Sequence, residues 1–371
     1  MSRFDVAIIG AGMAGASVAA ELAPFCKVVL LEAEAQPGYH ATGRSAAFWS
    51  ETYGGPWVQP LTSASGPWLA HPPTEFSETG FLTPRGEINI GRRQDRHALD
   101  AFAAEFKGSG IALDRLDRAA IDAQFDGFKP EWSSGIGIQS CADIDVAALN
   151  QACLRAARRN GAELHCNAQV QALSRNRHGW QIETARGAFN ADMIVNAVGA
   201  WADQVGALAG ARALGITPYR RTILQVRLDI AAPLTVPLII DINGGFYFKS
   251  DGAGGLWLSP HDETPSLPVD AAPEEIDIAI AIARFEEATT LTVAAVTHKW
   301  AGLRSFAPDR LPVYGFDPQV TGLYWCAGQG GFGIQTAPAA AKLVASQILR
   351  READPMIASL DPKRYAPSRF T

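Results

Sequence analysis

The sequence predicts an α/β fold: a doubly wound, Rossmann-like dinucleotide-binding domain with an inserted α+β domain built on a mostly antiparallel sheet. Apolar strand patterns that run into glycine turns at residues 4–15, 191–201 and 323–336 predict the doubly wound part. Alternating strand patterns predict the inserted part. A chain of 371 residues also exceeds the ~250–300 residues at which one core stops growing. We assign residues 1–80, 141–215 and 308–371 to the first domain and residues 81–140 and 216–307 to the second.

The first forty residues carry the pattern of a dinucleotide site. A buried strand leads into a GxGxxG turn, a small-residue helix follows, and a second strand ends in an acid near the usual spacing of ~20 residues from the turn. The glycines allow a tight turn, close approach of a pyrophosphate and close helix packing, while the helix N-terminus offers free N–H groups. The acid can accept hydrogen bonds from ribose hydroxyls. These cofactor-binding candidates are Gly10, Gly12, Met13, Ala14, Gly15, Glu32 and Ala33.

Further elements are predicted along the chain from apolar spacing and turn residues. The predicted helices lie at residues 93–106, 117–124, 146–158, 274–288 and 337–349. The predicted strands lie at residues 81–90, 162–166, 170–173, 191–201, 220–228 and 297–302, with hairpins at 180–190 and 244–259. The tail after Asp361 is predicted to be loosely held.

Composition and charge exclude several classes of protein. The net charge is −6 and no basic run is interleaved with aromatic residues, so we do not expect nucleic-acid binding. No apolar stretch reaches the ~18 residues of a membrane span, and the N-terminus lacks the basic region of a signal peptide. The five cysteines form no CxxC pair and the seven histidines are dispersed, so we expect reduced thiols and no metal site. We expect a cytoplasmic protein, with peripheral association with the inner membrane as an alternative.

A loop of small residues follows the nucleotide-binding acid. It ends in Gly43, Arg44, Ser45, Ala46 and Ala47, where an arginine and backbone N–H groups are positioned to meet a second phosphate. With the N-terminal glycines and Glu32, this segment resembles the start of the FAD-dependent D-amino-acid oxidase and glycine oxidase superfamily. Within it, the resemblance is strongest to the bacterial D-arginine dehydrogenases. The matching words lie at residues 36–40, 42–47, 142–145, 286–291, 300–306 and 329–336.

This resemblance implies a non-covalently bound FAD and adds residues to its site. The strand that meets the Gly199 turn would run beside FAD. The helix after residue 336 would place its N-terminus at the flavin pyrimidine edge, which takes negative charge on reduction. The added cofactor-binding candidates are Val170, Ala197, Gly199, Trp201, Gly302, Arg304, Gly330, Gly331, Phe332, Gly333, Ile334, Gln335 and Thr336.

Oxidation of an amine by a flavin requires a held substrate carboxylate, a positioned Cα–H and a pocket for the side chain. Arginine is the side chain that best clamps a carboxylate. The resemblance assigns this role to Arg304 and Arg221, with Tyr53 and Tyr247 as hydroxyl partners. It places Glu87 at the far end of the pocket, where a carboxylate would pair with a cationic side chain.

Two pocket positions differ from the D-arginine dehydrogenases, which carry a histidine in place of Phe48 and a threonine in place of Ser50. An apolar Phe48 reshapes the pocket, which leaves the preference for arginine open. No general base is evident, and this agrees with hydride transfer from a neutral amine. The substrate-pocket candidates are Phe48, Ser50, Gly331 and Gln335.

We therefore predict an FAD-dependent D-amino acid dehydrogenase or oxidase whose substrates include basic ones such as D-arginine. The products would be a 2-oxo acid and ammonia. One alternative is an oxidase of glycine or N-methylated amino acids, and another is a flavoprotein subunit of a larger electron-transfer complex. The sequence leaves open whether O₂ or a quinone-like acceptor takes the electrons, and we expect a monomer or a homodimer.

Overall fold

The computed structural model describes residues 3–230 and 232–370, which form three β-sheets, eight α-helices and five short 3₁₀ segments. The strands are β1 (Arg3–Ile9), β2 (Val28–Leu31), β3 (Phe48–Trp49), β4 (Leu82–Pro84), β5 (Glu87–Arg92), β6 (Asp114–Leu116), β7 (Trp132–Ile138), β8 (Ala142–Ile144), β9 (Glu163–His165), β10 (Val170–Asn176), β11 (Gly179–Thr184), β12 (Gly187–Asn196), β13 (Thr217–Leu228), β14 (Leu238–Asp241), β15 (Tyr247–Ser250), β16 (Leu256–Ser259), β17 (Thr264–Pro265), β18 (Val293–Phe306), β19 (Val313–Phe316), β20 (Leu323–Ala327) and β21 (Gln329–Gly330). The helices are α1 (Met13–Leu22), α2 (Gln59–Ala70), α3 (Arg96–Glu105), α4 (Arg118–Asp122), α5 (Val146–Arg159), α6 (Ala202–Leu208), α7 (Glu275–Ala288) and α8 (Ala337–Leu349). The 3₁₀ segments are Arg93–Asp95, Gly199–Trp201, Pro355–Ile357, Pro362–Tyr365 and Pro367–Phe370.

The first layer is an eight-stranded sheet that contains the N-terminal strand β1. Its order is β10-β11-β12-β1-β2-β9, and β20 pairs with both β12 and β19. β1 lies parallel between β12 and β2. All of β2 and the last four residues of β1 are buried, as expected for parallel strands covered on both faces. The parallel strands end at a common edge, which is where such sheets place their ligands.

Helices α1, α5 and α8 share one hydrophobic core with this sheet. α1 is built mostly from small residues, so it can pack closely against the strands. α5 begins at Asp145, whose carboxylate accepts the N–H of Ala148, as the sequence predicts. α8 spans the predicted residues and is largely buried. Packing against these helices holds β1 and β2 in place, and with them the sheet edge at which both strands end.

A ten-stranded sheet forms the second layer, in the order β21-β18-β13-β16-β15-β14-β5-β7-β6 with β17 on β13. Its neighbours are antiparallel except for the pair β5 and β14. In the long β13–β18 ladder, Arg221 lies opposite Gly302 and Tyr219 opposite Arg304. A third, small sheet has the order β3-β8-β4. This architecture confirms the predicted fold class, while the domain boundaries stay a prediction.

Three local predictions differ from the structure. The strand predicted at residues 81–90 is two strands in different sheets, because Gly86 at φ 79° turns the chain between β4 and β5. The second hairpin arm and the buried strand after it form one continuous strand, β12. The tail is packed rather than loose: the Tyr365 hydroxyl donates to the Trp57 carbonyl at 3.0 Å, and Arg369 pairs with Asp309 at 2.7 Å.

Candidate active site

A cavity of about 640 Å³ lies at the carboxyl edge of β1, β2 and β12 and reaches the β13–β18 ladder of the second sheet. Its volume falls in the range of small-molecule and cofactor sites. It therefore joins the dinucleotide edge to Arg221, Arg304 and Gly331 of the predicted substrate site. The other predicted substrate residues are not among those that line it: Phe48, Ser50, Tyr53, Glu87, Tyr247 and Gln335. The predicted residues in its lining are Gly10, Gly12, Met13, Ala14, Glu32, Ala33, Arg44, Ser45, Ala46, Val170, Ala197, Gly199, Trp201, Arg221, Gly302, Arg304, Gly330, Gly331, Gly333 and Ile334.

The glycine turn after β1 leaves only backbone facing this edge. Gly10 has φ +96°, and a Cβ there would lie 2.6 Å from the carbonyl oxygen of Ala197. A Cβ on Gly15 would collide with the carbonyl oxygen of Gly10, so α1 packs directly on the turn. The hydroxyl of Thr42 accepts the Met13 N–H at 2.9 Å in the first turn of α1. A backbone wall beside a helix N-terminus fits a pyrophosphate.

Glu32 closes the other side of the turn. Its two carboxylate oxygens accept the N–H groups of Ala11 at 2.8 Å and Glu34 at 3.0 Å. A carboxylate has about four acceptor positions, so both oxygens can still accept ribose hydroxyls. The glycine wall and this acid together fit the dinucleotide part of FAD.

The Arg44 side chain is held by distant parts of the chain, and its predicted phosphate contact stays a prediction. Its guanidinium donates to the carbonyl oxygens of Ala271 at 2.8 Å and Ala301 at 3.2 Å, and it pairs with Asp270. The Tyr39 hydroxyl also donates to Asp270, at 3.2 Å. Because these contacts occupy both terminal nitrogens, the side chain ties the segment at residues 269–271 to the nucleotide loop.

The remaining cofactor candidates do not line the cavity but contact residues around it: Gly15, Gly43, Ala47, Phe332, Gln335 and Thr336. The N–H of Gly43 donates to the Gly38 carbonyl at 2.8 Å, which closes the nucleotide loop. The Ala47 carbonyl accepts Lys249 Nζ at 3.3 Å. Phe332 packs between Tyr53 and Phe306. Gly15 packs α1 on β1, and Gln335 and Thr336 hold the turn before α8.

Arg304 presents a half-buried guanidinium to the cavity. Its Nη1 donates to the Tyr53 hydroxyl at 2.6 Å. Among the described residues no carboxylate lies within ion-pair distance of Arg304. Gly331 makes this approach possible, since a Cβ there would lie 2.5 Å from the Tyr53 hydroxyl and 3.1 Å from Arg304 Cζ. The arrangement leaves Arg304 available to an anion.

Arg221 faces the same cavity from β13, one diagonal step from Arg304 in the ladder. It is 2% exposed; its Nε donates to the Asp262 carbonyl at 2.7 Å and its Nη2 lies 3.4 Å from Glu263. Nη1 is buried and bonds to none of the described residues. Burial lowers the pKa of the Arg221 guanidinium, and the positive charge of Arg304 adds to this. An anion between the two arginines would relieve that repulsion.

His261 lies beside Tyr247 and within the electrostatic influence of both arginines, and no sequence pattern selects it. It has φ +57°, and its ring centre lies 5.5 Å from that of Tyr247. Burial, with the charges of Arg221 and Arg304, lowers its pKa to about 2, so the ring is neutral near pH 7. Both His261 Nδ1 and the Tyr247 hydroxyl are buried without a hydrogen bond to the described part of the chain. Its position in the turn after β16 carries no motif.

Glu87 begins β5 and is 3% exposed. Asn89 Nδ2 donates to its Oε1 at 2.7 Å, while Oε2 is buried and accepts no hydrogen bond from residues 3–230 or 232–370. Burial raises the pKa of this carboxyl, and the neighbouring polar groups of Ser50, Asn89 and Cys141 oppose the shift. The carboxyl group is therefore buried, and one of its two oxygens accepts no hydrogen bond from the described residues.

An apolar cluster adjoins Glu87 and contains Phe48, Cys141, Leu238 and Tyr247. Leu238 lies opposite Glu87 in the pairing of β14 with β5. The Phe48 ring centre is 4.9 Å from that of Tyr53. Phe48, Tyr53 and Tyr247 are thus neighbours, and the ring centres of Tyr53 and Tyr247 lie 5.8 and 5.9 Å from the guanidinium carbons of Arg304 and Arg221.

Two further observations concern the described residues only. They contain no group of three or more His, Cys, Asp or Glu side chains placed to hold a metal ion. They also contain no helix with the length and apolar character that crossing a bilayer requires.

Some residues that line the cavity were not among the candidates from the sequence. Most of them belong to no motif, such as Ala168, Gln169, Leu208, Val269 and Ala271.

Comparisons with known proteins place the chain in one family. The family model described as FAD dependent oxidoreductase (DAO) matches residues 5–347. The glycine oxidase of Geobacillus kaustophilus is 27% identical over 369 residues, and the match covers 94% of each protein. The mitochondrial dimethylglycine dehydrogenase of Homo sapiens is 28% identical over 247 residues, which are 60% of this chain and 28% of that protein. The chain thus matches less than a third of the length of that dehydrogenase.

Solved structures show the same fold. The crystal structure of glycine oxidase from Geobacillus kaustophilus has a TM-score of 0.85 at 24% identity and covers 100% of this chain and 99% of its own. The structure of L-proline dehydrogenase from P. horikoshii has a TM-score of 0.85 at 20% identity and covers 100% and 98%. At such identities the likeness concerns the fold alone.

Proposed function

This chain belongs to the DAO family of FAD-dependent oxidoreductases, and we propose that it oxidises the CH–NH₂ group of D-amino acids, including basic ones such as D-arginine. The observation that carries the proposal is the Arg304 guanidinium, which faces the cofactor cavity with a hydroxyl partner from Tyr53. A partly desolvated cation without a carboxylate partner is stabilised when an anion joins it. The carboxylate of an amino acid supplies that anion.

The residues around the clamp give the substrate its orientation. Arg304 and Arg221 would hold the carboxylate, and the hydroxyls of Tyr53 and Tyr247 would donate to it. Because the Cα of the substrate is bonded to that carboxylate, the clamp also fixes where the Cα–H lies. When bound, FAD supplies a two-electron oxidant, so that Cα loses a hydride and the resulting imine is hydrolysed by water to a 2-oxo acid and ammonia.

Glu87 supports the basic-substrate part of the proposal. A buried carboxyl with one unused oxygen is a suitable partner for a guanidinium or ammonium group. Its raised pKa means that burial disfavours the anion in the absence of a cation. A cationic side chain would restore the ionised form by pairing with it.

A second candidate is oxidation of glycine or N-methylated amino acids. The observation that favours it is the contact between the Phe48 and Tyr53 rings, which limits the space for a substrate side chain. The similarity to glycine oxidase and dimethylglycine dehydrogenase points the same way. Both candidates use the same carboxylate clamp, so substrate preference separates them.

Anaerobic reduction of the bound flavin tests the proposal. The purified chain should be yellow, and acid precipitation should release FAD into the supernatant; FAD retained in the pellet would contradict non-covalent binding only. D-Arginine, D-leucine and D-methionine should bleach the flavin, whereas their L-enantiomers should not. Faster reduction by glycine or N-methylglycine than by every D-amino acid would favour the second candidate, and colourless protein that cannot be reconstituted with FAD would refute both.

Two further measurements address the partners. Activity of the isolated chain, run with gel filtration, shows whether it works without other subunits and whether it is a monomer or a homodimer. Reoxidation of the reduced enzyme by air or by a soluble quinone separates an oxidase from a dehydrogenase. We propose that the electron acceptor is either a quinone-like compound or O₂, and this measurement separates the two.

A further inference from the structure

The Gln335 side chain is buried at 2% exposure, and its amide is fully engaged with one loop and the helix that follows. Oε1 accepts the N–H of Ser50 at 3.1 Å. Nε2, which has two N–H groups, donates to the carbonyl oxygen of Tyr53 and to the hydroxyl of Thr62, both at 3.0 Å. Gln335 therefore fastens both ends of the segment 50–53, which we call the clamp loop, and links it to α2.

Apart from the Gln335 amide, the clamp loop is held by local backbone hydrogen bonds and by the contacts of its side chains. The Tyr53 N–H donates to the Ser50 carbonyl at 3.2 Å, which closes a turn within the loop itself. The Gly55 N–H donates to the Thr52 carbonyl at 3.2 Å, the Glu51 carboxylate accepts the Ser63 hydroxyl, and the Tyr53 ring packs against Phe48 and Phe332. The Gln335 amide adds the hydrogen bond that reaches the Tyr53 carbonyl from outside the loop, and this bond fixes the backbone at that residue.

Gln335 also lies between the residues proposed to bind the substrate and the turn that lines the cofactor side of the cavity. The Tyr53 hydroxyl accepts from Arg304, so the position of Tyr53 sets the orientation of that guanidinium. On the other side, Gly333 and Ile334 line the cavity, and Thr336 caps α8. One side chain thus connects the turn that faces the cofactor to the residues that face the substrate.

We propose that Gln335 is a positioning residue: it holds Tyr53, and through Tyr53 the Arg304 guanidinium, in the geometry that binds the substrate carboxylate. The inference rests on the proposed function, because it concerns the clamp assigned there. It differs from the expectation that Gln335 itself lines the pocket. The side chain acts on the clamp from behind, without touching the substrate.

The main variant is Gln335→Met, which keeps the length and removes all three hydrogen bonds. In the FAD-loaded enzyme, acetate serves as a carboxylate that cannot be oxidised, and its binding is followed by the change in flavin absorbance. We expect acetate affinity, and the apparent affinity for D-methionine in anaerobic reduction, to fall on the order of 10- to 100-fold, the scale of a misplaced positioning contact. The FAD dissociation constant should change by about threefold or less.

Thr62→Val is the matched control. It removes one acceptor of the Gln335 amide and leaves both bonds to the clamp loop, so acetate affinity should stay near that of the wild type. Gln335→Asn is the second variant, because it keeps the amide and shortens its reach; it should reproduce the loss if the methionine variant does not fold. An equal loss of acetate and FAD binding, in step with a lower melting temperature, would make Gln335 merely structural and overturn the inference.

A double-mutant cycle with Tyr53→Phe tests the route of the effect. If Gln335 acts through Tyr53, the double variant should bind acetate no more weakly than Tyr53→Phe alone; additive losses would overturn the inference. The test also separates this inference from the proposed function. If no amino acid reduces the wild-type flavin while acetate binding still depends on Gln335 and Tyr53, the proposed function fails and the positioning role stands.

Discussion

Replacing Glu87 with glutamine should separate cationic substrates from neutral ones. The Glu87→Gln change keeps the shape of a side chain that is 3% exposed and removes its capacity for negative charge. D-Arginine and D-lysine would lose an ionic partner and would still have to leave water. D-Leucine and D-methionine would lose no contact. The effect should therefore appear in the ratio of kcat/KM for cationic substrates to kcat/KM for neutral substrates.

The contacts of Glu87 set the size of this effect. Removing one partner of a buried, hydrogen-bonded charge pair costs ~2–5 kcal/mol. Asn89 already occupies Oε1, and only Oε2 is unused, so we take the lower end of that range, ~2–3 kcal/mol. At ~1.4 kcal/mol per factor of ten, kcat/KM for D-arginine should fall about 30- to 150-fold. For D-leucine we expect a change of about threefold or less.

The assay is kcat/KM for the four D-amino acids in the wild type, Glu87→Gln and Asp241→Asn. Asp241 is the matched control, because it is also a buried carboxyl with a raised pKa, yet its oxygens accept the N–H groups of Asn243 and Gly245. Its replacement should not change the ratio between cationic and neutral substrates. An equal loss for all four substrates in Glu87→Gln would refute the reasoning, and the basic-substrate proposal would fall without affecting the flavin chemistry.

Two further outcomes follow from the same site. Arg304→Met should keep FAD bound but reduce flavin reduction by D-amino acids at least ~30-fold, since a charged partner of the carboxylate is lost; reduction at the wild-type rate in stopped flow would show that Arg304 is not the clamp. Burial raises the pKa of Glu87 above its ordinary 4.5, so the folded chain binds this proton more tightly than the unfolded chain and loses stability as pH rises through the raised pKa. The free energy of unfolding of Glu87→Gln in urea, relative to that of the wild type, should therefore increase as pH rises above 4.5, and a difference that stays constant with pH would contradict this.

The sequence could predict features whose cause is local. The turn at Gly10 needs a positive φ and close backbone packing, which only glycine tolerates, so the pattern is readable without the rest of the chain. α8 was predicted over its observed span, because apolar spacing and the glycines before it act within a few residues. Tyr53, Tyr247 and Glu87 were selected by resemblance, and their roles stay a proposal.

The parts that could not be predicted depend on segments far apart in the chain. Arg44 fits a phosphate role on its own, but it meets Asp270 and Ala271, more than two hundred positions later. His261 becomes part of the site only because β13, β15 and β16 lie side by side in the second sheet. The Gln335 contacts join the loop after β3 to the turn before α8. No local pattern encodes which distant backbone a side chain will reach.

The choice of partners around the two arginines accounts for what the cavity can bind. Had a carboxylate stood where Tyr53 stands, it would compete with any substrate anion for Arg304. A hydroxyl orients the guanidinium without neutralising it, so the charge stays available. Arg221 is more nearly satisfied, through Asp262 and Glu263, and its Nη1 is buried without a hydrogen bond to the described residues. In the proposed function one carboxylate would bind both arginines, and the orientation of Arg304 would then depend on the backbone of Tyr53 and on the amide that fixes it.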